Sequence, residues 1–177
     1  MKQLLTISVV LLLLNYCAKD KNPLKTDIYD GFAIYILADS TITATDATQQ
    51  SNNYLILADE PLITDEDLNY YKWAEHSLSL KSEANERIRT IAKNRQTVFG
   101  IPFIVIAKKE RIYLGAFWYA FSSVAPSFPT VEITGYVLKD YNSNVLRIEK
   151  SWIEDQPDVR GDTRIYQVLQ EAGVLNP

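Results

Sequence analysis

The sequence predicts an α+β domain, a mixed or antiparallel sheet with helices packed on one face. Three observations point there: an apolar hairpin at 101–118, two amphipathic helical stripes in the 82–95 and 162–173 regions, and further short apolar runs scattered irregularly between them. Irregular mixing of strand and helix signals argues against a regular βαβ series. The chain has 177 residues, 47% of them hydrophobic, which suits one domain with a sizeable core.

Taken in order, GFAIYIL at 31–37 is apolar with β-branched and aromatic residues, so it reads as a buried strand. Residues 39–53 are polar with no hydrophobic period, which predicts a mobile loop. YLILA at 54–58 reads as a second strand or extended segment. In PLITDEDLNYY, Thr64 precedes Asp65, Glu66 and Asp67, the pattern of a helix N-cap with acids where the dipole favours them. Capping accounts for that triplet without a metal.

After a short extended piece at 76–80, Ser82 is expected to cap a helix in which Ala84, Ile88, Ile91 and Ala92 form one stripe. Arg87, Lys93 and Arg95 lie off it and read as a solvated face. The hairpin follows: residues 103–107 are apolar on both parities, so this strand should be central, with a charged turn at Lys108 to Glu110. In the returning strand Ile112, Leu114, Ala116 and Trp118 fall on one face, and Arg111, Tyr113, Gly115 and Phe117 on the other. Gly115 signals a bulge or a close backbone approach. VEITGYVL and VLRIEKSW supply two more strands joined by a turn at Tyr141 to Asn144, the second with Leu146 and Ile148 inward and Arg147 and Glu149 outward. The last element is a helix capped by Asp162, with the stripe Ile165, Val168, Leu169 and Ala172, stopped by Gly173.

The N-terminal segment has another character. Lys2 precedes an apolar run from Leu4 to Leu14, and polarity resumes at Asn15, the layout of a secretory signal too short to span a bilayer. Leu14, Asn15, Tyr16 and Cys17 resemble the motif of a bacterial lipoprotein signal. That resemblance implies cleavage before Cys17 and a diacylglyceryl thioether on its sulfur, with further acyl chains holding the protein to a membrane. AKDK after the cysteine partly resembles the signal that sends some lipoproteins to the cell surface. The expected organisation is a signal peptide at 1–16, a lipidated tether at 17–28 and one domain at 29–177, in the bacterial envelope, outer membrane, periplasmic or surface-facing.

Removing residues 1–16 takes away Lys2 and leaves 17 basic against 22 acidic residues. That balance disfavours nucleic acid, which wants a basic face. A Ser/His hydrolase needs an imidazole base, and His76 is the sole histidine, in an extended stretch. Neither a zinc ligand set nor a Gly-rich phosphate loop is present, so no metal and no cofactor is expected, and the chemistry points away from an enzyme. Arg160, Gly161 and Asp162 spell an integrin-type tripeptide, better explained as a turn before a helix cap.

The segment LGAFWYAFSSVAPSFP, 114–129, holds five aromatics among small residues and prolines. Phe117 and Trp118 are expected to pack as a lid on the core, while Tyr119, Phe121 and Phe128 are candidates for binding a peptide or protein partner. Residues 102–118 with Ser122 and Ser123, supported by PLITDEDLNYY and DVRGDTRIYQVLQEAG, resemble a family of uncharacterised exported bacterial lipoproteins. More remotely, the order of helix, central strand, turn, second strand and VEITG is similar to the periplasmic head of the protein-export subunit SecD. The resemblance implies fold more than function. The leading expectation is a noncatalytic envelope binding or accessory domain; an envelope hydrolase using a carboxylate pair and a structural spacer are the alternatives.

Overall fold

The computed structural model describes residues 27–138 and 143–177. In chain order they form β1 (Phe32–Ile36), α1 (Ala44–Ala47), β2 (Ile63–Thr64), β3 (Leu68–Lys72), β4 (Ser77–Leu80), α2 (Ser82–Asn94), β5 (Ile101–Ala107), β6 (Glu110–Trp118), β7 (Thr130–Glu132), β8 (Val145–Glu149), α3 (Thr163–Glu171) and β9 (Leu175–Asn176). The strands make one sheet in the order β2-β1-β5-β6-β7-β8-β4-β3-β9. β6–β7 and β3–β9 are parallel and the other pairs antiparallel, so the sheet is mixed and the fold is α+β with the sheet dominant.

The sheet curls strongly. Phe32 on β1, second from one edge, meets Tyr71 on β3, second from the other, with ring centroids 6.0 Å apart. Inside the curl lies the main core, where Phe103, Val105, Tyr113 and Phe117 meet Ala84 and Ile88 of α2 and Val168 and Leu169 of α3. The outer face of β5 carries a second, smaller cluster with Ile104 and Ile106 under Leu55 and Leu57. β5 is buried at every position, as its unbroken apolar run requires.

The β5–β6 turn consists of Lys108 and Lys109, with φ of 50° and 67°, closing a two-residue hairpin in which Ala107 faces Glu110. Positive φ at both turn positions matches the strands' twist. Gly115 sits opposite Phe103, and a Cβ there would lie 2.5 Å from the Phe103 ring. Its role is close approach: it seats an aromatic ring over the strand.

Several elements depart from expectation, each for a local reason. The sheet register shifts between Val105 and Ile106, so Arg111 opposes Ile106 and Ile112 is the extra residue. This bulge swaps the faces of Arg111 and Ile112 relative to simple alternation: Ile112 joins the main core, and Arg111 reaches the outer side. The 39–53 segment is not a structureless loop. It contains α1, held by a capping box between Thr43 and Asp46, so the helices do not all lie on one face. At Thr64 the cap is real, but it closes a single 3-10 turn at Asp65–Asp67 before β3. Lys81, with no side-chain cap bond, is the N-cap of α2, and Ser82 is already inside the helix. Of VEITGYVL only the first residues are strand; Thr134–Val137 is a 3-10 turn. The expected turn at Tyr141 to Asn144 lies partly outside the described residues.

Arg87 and Arg95 are not a free solvated face. Arg87 pairs with Asp67 at 2.6 Å and donates to Leu62 O at 3.0 Å, while Arg95 donates to Ser40 O at 2.8 Å. They tie α2 to its neighbours on two sides; Lys93 is exposed.

Candidate binding surface at the end of β6

β6 runs out of the curl at Trp118, and the next residues divide sharply between core and surface. Phe117 is fully buried and packs on Phe103 with centroids 4.9 Å apart. Trp118 turns to the outer side and meets Phe128 at 5.9 Å, edge to face, in a small cluster with Ala44 and Ala116. Gly100, with φ of 75°, lies under the Trp118 ring, where a Cβ would come within 2.6 Å. These contacts agree with the lid role read for Phe117 and Trp118.

The three aromatics assigned to a partner separate by burial. Tyr119 is 0% exposed, and its hydroxyl donates to Ala92 O at 2.7 Å, satisfying a carbonyl in the last turn of α2. Burial pushes that hydroxyl up to about 12, with Arg95 opposing. Phe128 is 6% exposed beneath Trp118. Phe121 alone of the three is open, at 52%, with its ring stacked on Tyr119 at 4.9 Å and 18°. Tyr119 thus serves as the floor on which Phe121 is displayed.

Beside Phe121 the structure places two residues that pattern reading passed over, Val98 and Phe99, exposed 39% and 44%. The Ser122 hydroxyl donates to Val98 O and locks the two loops together. Between α1 and the C-terminus of α2 a cleft of about 330 Å³ opens, lined by Ser40, Thr43, Asn94, Arg95, Gln96 and Thr97. The stretch QTVFG has no period that would have marked it as more than a connection. The available signal was an apolar Val-Phe pair cut off by Gly100 from the apolar run of β5.

The other chemical candidates are occupied structurally. His76 ends a 3-10 turn in the left-handed region, φ 49°, with Nδ1 3.3 Å from the Tyr71 hydroxyl. Burial and then the Arg160 charge lower its pKa, favouring the neutral ring. Arg160 is buried, donating to Asp158 through Nε and Nη2 and to Ile148 O through Nη1 at 2.7 Å; Asp162 caps α3 and holds Arg164. The Arg-Gly-Asp tripeptide is therefore a turn and cap with its arginine inside the protein. The buried Asp65 accepts from the Tyr29 hydroxyl at 2.7 Å and from Phe32 N at 3.0 Å. Burial and this carboxylate raise the Tyr29 hydroxyl well above the tyrosine range. Among the described residues no group of three or more His, Cys, Asp or Glu side chains is placed to hold a metal ion, and no helix is long and apolar enough to cross a membrane. Cys17, the expected lipidation site, lies outside the described residues, as do the signal segment and nearly all of the tether. Comparison with family models, with curated proteins and with solved structures finds no match to this chain.

Proposed function

We propose that this protein is a membrane-anchored lipoprotein of the bacterial envelope whose folded part is a noncatalytic binding or accessory domain for a peptide or protein partner. The observation that carries the reading is Cys17, the chain's sole cysteine, placed where the Leu4 to Leu14 run gives way to polar sequence. Support for binding comes from the exposed Phe121, whose ring stacks on the buried Tyr119. A rigid aromatic offers large area at small entropic cost. The same reading takes the domain as a relative of the SecD periplasmic head; the succession of α2, β5, tight turn and β6 supports that kinship.

Mass spectrometry of the mature N-terminus tests the anchor. The expected product begins at residue 17 and carries the mass of a diacylglyceryl group on that cysteine. A mature chain that retains residues 1–16 with an unmodified thiol would overturn it.

A further inference from the structure

The two ends of the sheet differ in what they present. At one end the Lys108–Lys109 turn meets the incoming chain: Lys108 N–H donates to Gly31 O at 3.2 Å and Lys109 pairs with Asp30 at 3.5 Å. Asp27, Asp30, Glu60 and Glu66 line an open hollow there together with Lys109. At the other end β5 begins and β6 finishes, Ile101 facing Phe117, and beyond them stand Val98, Phe99, Phe121 and the polar cleft. β6 runs from the first end to the second. Its nine residues, at about 3.4 Å each, put the ends roughly 27–30 Å apart.

Asp27 stands ten residues along the chain from Cys17. Covalent geometry limits that stretch to about 33–36 Å at full extension. Laying Phe99 and Phe121 on the bilayer that holds Cys17 would use nearly all of this length in climbing the side of the domain. A chain drawn close to its limit loses most of its conformational freedom. Resting the turn end over the bilayer requires no such extension.

We infer that the anchored domain stands with Asp30 and Lys109 toward its own bilayer and presents the Val98, Phe99 and Phe121 surface away from it, to a protein partner. This rests on the lipid anchor proposed above and adds the face and the chemistry of its occupant. The occupant is a polypeptide segment with apolar side chains for Val98, Phe99 and Phe121, whose main-chain amides meet the Asn94 and Gln96 carboxamides. Carboxamides both donate and accept, as a peptide main chain requires. A small apolar centre beside a polar rim is the usual make-up of a protein interface.

Two measurements on full-length acylated protein test the inference. With Cys17 in thioether linkage, a single introduced cysteine can be labelled alone. Lys109→Cys and Phe121→Cys proteins, each carrying a small fluorophore, are reconstituted in phosphatidylethanolamine–phosphatidylglycerol vesicles containing a headgroup spin-labelled lipid. Quenching should be several-fold stronger at 109 than at 121; equal or reversed quenching overturns the orientation. In intact cells, photo-crosslinking residues replacing Phe99 or Phe121 should give protein adducts, absent when the probe replaces Glu83, which is exposed at the far end of α2. Lipid adducts at 99 and 121, or none, overturn the choice of occupant. Failure of the anchor is a separate result, recognised by an unmodified N-terminal peptide and protein that does not float with vesicles, and it removes the inference with it.

Discussion

The inner and outer faces of the curled sheet are held by different means, and an arginine on each side shows the difference. Inside, Phe103 fills the space left by Gly115, two helices close over it, and Arg160 donates to Ile148 O while gripping Asp158. Outside, cover comes from α1 and the 52–58 segment, and Arg111 holds that segment by donating to the carbonyls of Asn52 and Leu55. No carboxylate among the described residues pairs with Arg111, and burial lowers its pKa, whereas Asp158 raises that of Arg160. Both faces bury an apolar cluster, but the inner arginine is held in an ion pair with Asp158 while the outer one is held by main-chain carbonyls alone.

The strongest way to break the inner face is Phe103→Ala, expected to cost about 3–5 kcal/mol by urea unfolding, because the ring is fully buried and Gly115 offers nothing to fill the void. The corresponding blow to the outer face is Arg111→Met, which keeps the apolar stem and removes the donors. A loss of about 1–2 kcal/mol is expected, toward the lower part of the range for stranding acceptors of a charged donor, because these bonds are only partly buried. Hydrogen exchange should then speed up at Ala38 and Ala58, whose amides bond across the 36–38 and 56–58 pairing, more than at β5 amides.

Acid sharpens the contrast. The Arg160 guanidinium holds the Asp158 carboxyl down at about 2, below the usual carboxylate range. A depressed carboxyl gives stability that is present above its unfolded value and lost as pH falls through its folded one. Asp158→Asn should therefore be less stable than the parent at neutral pH, with the gap closing between about pH 4 and pH 2 in thermal melts. Because Asp158 is partly exposed, the effect should be smaller than either core substitution. Arg111→Met should show no such closing gap. Smallest of all is Phe121→Ser, expected to stay within about 0.5 kcal/mol of the parent in the same melts, since the ring is half open.

What pattern reading could and could not see follows from the same physics. β5 and β6 were legible because a doubly buried strand leaves an unbroken apolar run and a tight turn leaves charged residues at its tip. α3 was legible because its Asp162 cap, the buried Ile165, Val168 and Leu169 and the terminal glycine agree; Ala172, read into the stripe, is instead the exposed C-cap. α1 was not, since four residues give no period and its evidence is one Thr-Asp hydrogen-bond exchange. The swap of Arg111 and Ile112 could not be read from alternation, because a bulge breaks the period it relies on. The curl was invisible too: it brings Phe32 to Tyr71 through seven strands of pairing that no local window contains. At the candidate surface, composition singled out the aromatic segment but could not sort it. Past the end of β6 inward and outward no longer alternate: Tyr119 joins the core with its hydroxyl bonded to α2, and Phe121, two residues on, lies at the surface.

The sheet's two margins, β2 and β9, are each two residues long, and Asp59, Glu60 and Pro61 interrupt the approach to β2. A foreign strand would find two rungs and then charge or a missing donor, too little to zip along. Neighbouring copies are thereby kept from fusing edge to edge into ribbons.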